Sequence, residues 1–204
     1  MMRIEKLSSA PDGVGRFRVQ FSDGSTLRLY RQTLEDFGLF AGMELTETDF
    51  DRLVSASGEM SAKMRAVRII SAASVSKKDL QQRLIQKGED PDQAQQAVAW
   101  LSDLDLIDDR KTAEHIVDRC IRRGYGISRA KQALYEKRIP KELWDEALAE
   151  YPDQSEAIAQ YLQDKLSPDA DEKQVKRVID ALLRRGHSYG AVSRELRKLD
   201  QDFE

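Results

Sequence analysis

The sequence predicts a mainly α-helical protein, an elongated tandem array of three three-helix, helix-turn-helix-like repeats preceded by a small α+β domain that contains a β-hairpin. Two observations carry this prediction. Apolar residues recur at helical spacing in three segments that align with one another, whereas the first part of the chain shows the alternation of β-strands. The chain has 204 residues, 40% of them apolar, which allows several small cores. The expected domains are residues 1–57, 58–109, 110–151 and 152–204.

The N-terminal segment has the pattern of strands joined by a tight turn. In "GRFRVQFSDGSTLRLYR", apolar and polar residues alternate on both sides of Asp23-Gly24, a pair typical of hairpin turns. Ile4 and Leu7 are expected to lie on a third strand. Residues 42–53 are expected to combine a turn with a short helix, and we place the linker to the repeats at the small-residue segment "SASGE", residues 55–59.

The three repeats align when Leu84, Leu134 and Leu182 are superposed, at intervals of 50 and 48 residues. Each leucine precedes a turn rich in Lys and Arg, and apolar residues follow at the same three positions after each turn. Their spacing is that of one face of a helix. The aligned apolar sets are Ala94, Trp144 and Val192, then Val98, Leu148 and Leu196, then Leu101, Tyr151 and Leu199.

The second repeat shows the expected helix boundaries, at residues 111–123, 128–137 and 141–150. Helix start signals elsewhere combine a capping side chain or a proline with a suitable residue in the first turn. These expected N-termini are at Asp90 with Pro91, at Pro140, and at Asp169 with Glu172.

Two "RRG" runs, at residues 122–124 and 184–186, look like one motif written twice. In the leucine register, however, the first run ends the first helix of a repeat and the second run ends the second helix of the next. We therefore interpret their similarity as partly coincidental, because the helix dipole and C-cap geometry favour basic residues followed by glycine at any helix C-terminus.

Charge is segregated along the repeats. Basic residues dominate residues 63–87, 110–141 and 173–198, and acidic residues dominate the stretches between them. Basic patches of this kind suit phosphate groups or an acidic protein surface. A solvated helix face has the same composition, so that interpretation stays open.

The strongest candidates for partner contact are the pairs Arg122-Arg123 and Arg184-Arg185, because each ends a helix beside a glycine where another backbone can come close. Reversing these four residues to Glu should abolish partner binding without unfolding the chain. The full set of candidates for contact with a partner or nucleic acid includes two turn tyrosines that suit contact and packing equally. It comprises Arg65, Arg68, Lys77, Lys78, Arg83, Lys87, Arg119, Arg122, Arg123, Tyr125, Arg129, Lys131, Lys137, Arg138, Lys173, Lys176, Arg177, Arg184, Arg185, Tyr189, Arg194, Arg197 and Lys198.

The sequence favours a protein that is not an enzyme and that uses no metal or cofactor. His115 and His187 are far apart and lack metal-binding spacing, and no GxxxxGK[ST] loop occurs. Other residues that could serve catalysis or base stacking fit structural roles better. These are Asp108-Asp109 as a helix cap, and Trp100, Trp144 and Cys120 as core residues.

Composition and termini point to a soluble, cytoplasmic, monomeric protein without membrane contact. The first ten residues, "MMRIEKLSSA", carry charges where a signal peptide is apolar, and no apolar run approaches the length of a membrane span. The net charge is −3, so the total does not by itself call for an anionic partner.

The segment "LSDLDLIDDRKTAEHIVDRCIRRGYGISRAKQALYEKRI", residues 101–139, resembles the central segment of the RecX family, bacterial regulators of the RecA recombinase. The preceding "SVSKKDLQQRLIQKG", residues 74–88, resembles the first repeat of that family. Departures from the family pattern are Asp105 and Arg138, where Gly is usual, and Thr112, where an aromatic residue is usual. The matching positions are Leu106-Ile107-Asp108-Asp109, Ala113, Arg123-Gly124 and Leu134 with Lys137.

This resemblance implies an array of repeats that lies in the groove of the RecA filament on single-stranded DNA. It also implies that the protein restrains RecA filament growth, ATP hydrolysis, strand exchange and the co-protease activity that triggers the SOS response in DNA repair by homologous recombination. The implied partners are the RecA filament and single-stranded DNA, with duplex DNA as a further candidate. Two other interpretations stay open: a helix-turn-helix transcriptional regulator that binds specific duplex sites, and a repeat scaffold that binds only protein.

Overall fold

The computed structural model describes residues 1–9 and 15–202. The described chain is mostly helical, with helical repeats and a small N-terminal β region, which confirms the predicted fold class. It divides into two compact units, one ending at Ile107 and one beginning at Asp108. The finer domain boundaries stay predictions.

The first unit begins with an antiparallel sheet in which the strand order is β3-β2-β1-β4. Gly24 lies in the turn between β2 and β3 with a φ of +83°, which confirms the predicted hairpin. Ile4 and Leu7 lie on β1, which pairs with β2 as predicted. The strands are β1 Met2–Ser9, β2 Arg16–Phe21, β3 Thr26–Tyr30 and β4 Glu44–Leu45.

Helix α1, Arg31–Asp36, follows the hairpin, and helix α2, Glu47–Ala72, is a continuous helix of 26 residues. The first part of α2 packs on the sheet, where Leu53 joins the core formed by the strands. Its second part belongs to the first repeat, where Ala62 and Ala66 are fully buried. The linker predicted at residues 55–59 is therefore wrong, because the helix runs through it without a break.

The small residues of "SASGE" serve close packing instead of a loop. The Ser57 hydroxyl is buried and donates to the Arg28 carbonyl on β3 at 3.2 Å. A methyl group at Gly58 would overlap the side-chain amide of Gln93, so the helix carrying Gln93 can approach α2 closely here. Small polar residues thus mark the place where a strand and a second helix both meet α2.

The first repeat is completed by α3, Lys77–Gln86, and α4, Pro91–Asp103. The Asp90 carboxylate accepts the N–H groups of Asp92 and Gln93, and Pro91 stands at the start of the helix, as predicted. Trp100 packs against the core of this repeat, as predicted.

The second unit contains the second and third repeats. The Asp108 side chain caps α5, as predicted. The third helix of the second repeat is shorter than predicted, since it begins as a 3-10 turn and its α-helical part ends at Leu148. The elements are α5 Asp109–Arg122, α6 Ile127–Glu136, the 3-10 turn Lys141–Leu143, α7 Trp144–Leu148, α8 Ser155–Lys165, α9 Glu172–Arg184 and α10 Tyr189–Asp202.

The start of α9 differs from the prediction. Asp171, not Asp169, caps this helix, because the Asp171 carboxylate accepts the Gln174 N–H while the Gln174 side chain accepts the Asp171 N–H. This reciprocal pair satisfies two backbone donors at once, which is why the helix begins at this aspartate.

The leucine register has a structural origin in one repeated helix ending. Leu84, Leu134 and Leu182 are fully buried, and each carbonyl accepts the backbone N–H of the residue five positions on, at 3.0 to 3.2 Å. The residue before that donor has a positive φ, as in the Schellman motif. Arg138 adopts this conformation with a φ of +54°, and Asp105 does the same at the end of α4. The departures from glycine therefore leave the turn geometry unchanged.

Candidate nucleic-acid and partner interface

Basic residues occupy the last position of several helices. Lys87, Arg123, Lys137 and Arg185 are the C-caps of α3, α5, α6 and α9. The negative end of the helix dipole stabilises a cation at this position. Part of the basic pattern is thus explained by helix termination.

A cleft between α5 and α6 brings five of the predicted candidates together. This α5–α6 cleft has a volume of about 190 Å³. Its floor includes the buried Cys120, which confirms the prediction of a core cysteine. The candidates that line it are Arg119, Arg123, Tyr125, Arg129 and Lys137, and the same cleft includes Glu136.

The thiol of Cys120 responds to the charge of this cleft. Burial raises the pKa of Cys120, while the positive charges of Arg119, Arg129 and Arg123 act in the opposite direction. Three guanidinium groups therefore lie close enough to a single point to act on it together.

Other predicted candidates are engaged inside their own repeats. Arg65 and Arg83 of the first repeat pair with buried carboxylates, so these two side chains stabilise the fold whatever partner binds. The pairs are Arg65 Nε with Glu89 Oε1 at 2.5 Å, Arg83 with Asp79 at 3.0 Å, Lys77 Nζ with the Ser102 hydroxyl at 2.5 Å and, in the third repeat, Lys198 Nζ with Glu195 at 2.8 Å.

Arg185 is held between two aromatic rings. Its guanidinium carbon lies 5.0 Å from the centre of the Tyr125 ring and 5.1 Å from that of Tyr161. Its Nη2 also donates to the Arg123 carbonyl at 2.5 Å. We therefore expect Arg185→Glu to destabilise the fold, unlike the reversal of an exposed arginine, because a carboxylate here would remove both cation–π interactions and the hydrogen bond.

The two "RRG" runs meet in space. We name their contact the repeat 2–3 junction, formed by residues 123–126 and 185–187. The Gly126 N–H donates to the Arg185 carbonyl at 2.9 Å, and His187 Nε2 donates to the Gly124 carbonyl at 3.0 Å. Their similarity has the origin that the sequence suggests, because in both runs a basic helix C-cap, Arg123 or Arg185, is followed by a glycine with a positive φ.

His187 is a buried titratable group of this junction. Burial lowers the pKa of His187 below its usual value, and the positive charge of Arg185 adds to this effect, whereas the hydrogen bond to Gly124 opposes it. The unfolded chain, with an ordinary histidine pKa of about 6.5, takes up this proton first as the pH falls. We expect the free energy of unfolding to fall below about pH 6.5 until the pKa of the folded state is reached.

Chemical denaturation between pH 7.5 and pH 5.0 measures this effect against the variant His187→Gln. The stability difference between the protein and this variant should shrink as the pH falls, because the variant has no imidazole to protonate. His115→Gln, which changes an exposed histidine, is the matched control and should retain the pH dependence of the unaltered chain. Equal slopes for the protein and His187→Gln would contradict the assignment.

The remaining candidates present their side chains at the surface, and Arg138 is half-buried. Tyr189 is 65% exposed, whereas Tyr125 packs on the core of the second repeat, so the two tyrosines have different environments. Trp144 packs on that same core, as predicted. The exposed candidates are Arg68, Lys78, Lys87, Arg119, Arg122, Arg123, Lys131, Lys173, Lys176, Arg177, Arg184, Arg194 and Arg197.

Sequence reasoning missed the residues that join the second and third repeats. Gly126, Tyr161 and His187 take part in contacts between segments that are distant in the chain, which no helical spacing reveals. The doubled "RRG" motif was the signal that could have found them.

In residues 1–9 and 15–202 no helix combines the length and the apolar character that crossing a membrane needs. Within the same ranges, no group of three or more His, Cys, Asp or Glu side chains is arranged to hold a metal ion.

Comparisons with known proteins agree with this architecture. Residues 108–148 match the family model described as RecX, second three-helix domain. Regulatory protein RecX of Chlorobaculum tepidum is 30% identical over 142 residues, which cover 68% of this chain and 88% of that protein. Regulatory protein RecX of Clostridioides difficile is 23% identical over 96% of this chain and 95% of its own length. A crystal structure of regulatory protein RecX shares the fold, with a TM-score of 0.64 over 99% of this chain and all of that one, at 19% identity. This chain belongs to the RecX family of regulatory proteins.

Proposed function

We propose that this protein binds the filament of the RecA recombinase on single-stranded DNA and restrains its ATP hydrolysis, strand exchange and co-protease activity. Membership of a family of regulatory proteins supports a regulatory role. The observation that carries the proposal is the recurrence of exposed basic side chains on every repeat. Examples are Arg68 and Lys78 on the first, Arg122 and Lys131 on the second, and Lys176 and Arg184 on the third.

Because such contacts recur on each repeat, each of them can be weak while the whole protein still binds the filament. Each exposed Lys or Arg can neutralise one phosphate at modest gain, and linked repeats convert later contacts into intramolecular ones. The affinity for the filament should therefore fall steeply as the salt concentration rises. A scaffold that binds only protein would show little dependence on salt.

The test is DNA-dependent ATP hydrolysis by RecA from the same organism, with this protein added in substoichiometric amounts. We expect the rate to drop. A variant with Arg122→Glu, Lys131→Glu and Arg184→Glu should lose most of the effect while keeping its helical circular dichroism, since all three side chains are exposed. Arg52→Glu, an exposed charge reversal near the start of α2, is the matched control and should inhibit like the unaltered protein.

An unchanged rate with the folded protein would contradict the proposal. Sequence-specific binding to duplex DNA in that case would favour the helix-turn-helix regulator. Arg185 is left out of the variant because its replacement would disturb the repeat 2–3 junction.

A further inference from the structure

The α5–α6 cleft carries more positive charge than helix termination requires. It lies beside the C-termini of α5 and α6, each equivalent to roughly −0.5 elementary charge, and it includes the carboxylate of Glu136. These groups together offset about two positive charges. The three guanidinium groups of Arg119, Arg123 and Arg129 exceed this by about one charge, before Lys137 is counted.

The size of the cleft restricts what it can hold. A volume of about 190 Å³ is below the roughly 300–1,000 Å³ of pockets that enclose a whole drug-sized ligand. It has room for a tetrahedral oxyanion but not for a nucleotide with its base and sugar. The surplus of about one positive charge matches a phosphodiester, and Lys137 at the rim adds to it for a phosphate monoester.

The walls of the cleft favour a bound anion. Ile116, Cys120 and Ala133 form an apolar floor, which weakens the competition of water with charge-assisted hydrogen bonds. The backbone of Arg123 is held in place, because its carbonyl accepts a hydrogen bond from Arg185. Arg129 is oriented by Glu136 at 3.2 Å. The guanidinium of Arg129 is thus ordered before a ligand arrives.

We propose that the α5–α6 cleft is a binding site for a single phosphate group, held by Arg119, Arg123 and Arg129. The inference rests on the proposed function for the source of that phosphate, which is the backbone of single-stranded DNA. A free phosphate or the phosphate of a nucleotide has the same chemistry and is distinguished by experiment.

The full chain is compared with the variant Arg119→Gln/Arg123→Gln, in which neither altered side chain makes a described hydrogen bond or ion pair. Arg18→Gln/Arg52→Gln, two exposed arginines of the first unit, is the matched control. The probe is a fluorescein-labelled oligothymidylate, and its Kd is measured from 50 to 200 mM salt. The cleft variant should bind roughly tenfold more weakly. Its slope of log affinity against log salt should fall by about 0.7 for each DNA phosphate that the variant no longer neutralises. The control should keep the slope of the unaltered protein.

A second arm uses inorganic phosphate and pyrophosphate at matched ionic strength, with thermal unfolding as the readout. If these anions raise the Tm of the protein but not that of the cleft variant, the site accepts free phosphate as well. If only oligothymidylate binding depends on the cleft, the source is the nucleic-acid backbone. If the cleft variant matches the control in both arms, the proposal is overturned.

The outcome is separable from that of the proposed function. If the cleft variant has a smaller slope of log affinity against log salt but the unaltered protein has no effect on RecA, the filament proposal alone is contradicted. If the unaltered protein inhibits RecA but the slope for the cleft variant is unchanged, the phosphate site alone is contradicted.

Discussion

Replacing Gly126 with alanine is expected to lower the free energy of unfolding by about 3 kcal/mol. The new methyl group would overlap the carbonyl of Gly186 and the N–H of His187. Both obstacles are backbone atoms, so no side chain can rotate away to relieve them. The second and third repeats would have to separate, and the hydrogen bond from Gly126 to the Arg185 carbonyl would break.

Urea denaturation followed by circular dichroism measures this destabilisation, and hydrogen exchange at α9 and α10 locates it. Gly190→Ala is the matched control, because a methyl group there meets no atom within 4 Å and the residue lies in a helix. That variant should be as stable as the unaltered protein or more stable by up to about 1 kcal/mol. Equal stability of the two alanine variants would show that the repeat 2–3 junction does not hold the repeats together.

The substitution Arg65→Met is the second change with a large expected effect. It should lower the free energy of unfolding by about 2–3 kcal/mol. The Glu89 side chain is only 6% exposed, and its Oε1 lies 2.5 Å from Arg65 Nε and 3.0 Å from the Ser61 hydroxyl. Without the guanidinium, the buried Glu89 carboxylate would keep the Ser61 hydroxyl as a donor but would lose its charged partner. The substitution preserves most of the apolar stem, so the destabilisation reports the loss of the guanidinium, which also donates to the Lys87 carbonyl at 3.2 Å.

The stability of a double variant tests this prediction. The double variant Arg65→Met/Glu89→Met should recover most of the stability, because an apolar pair replaces the buried ion pair. Arg68→Met, an exposed neighbour on α2, should change stability by less than about 0.5 kcal/mol. The idea fails if Arg65→Met is no more destabilising than Arg68→Met. Arg65 would then return to the set of candidates for partner contact.

The repeat register could be predicted from the sequence because it is a local property. Leu84, Leu134 and Leu182 each bury a side chain and close a helix with the same hydrogen bond, so both constraints act within a few residues of one position. The hairpin was predictable for the same reason, since alternation and Asp23-Gly24 lie in one short segment.

The use of individual charges could not be predicted, because it depends on contacts between distant segments. Arg65 and Arg68 look equivalent in the sequence, yet one faces a buried carboxylate on a different part of the chain and the other faces solvent. Arg184 and Arg185 are adjacent, yet it is Arg185 that enters the space between Tyr125 and Tyr161. Composition identifies a basic helix end, but the fold decides which side chain remains accessible.

The uninterrupted α2 helix has a consequence for how the molecule comes apart. Leu53 anchors its first part in the core of the sheet and Ala66 anchors its second part in the core of the first repeat, so a single helix contributes to both cores. The sheet and the first repeat lie in one compact unit, and we expect them to unfold together. A protein shortened to begin at residue 58 would lose both the Thr46 cap and the first turns of this helix, because residue 58 lies within it.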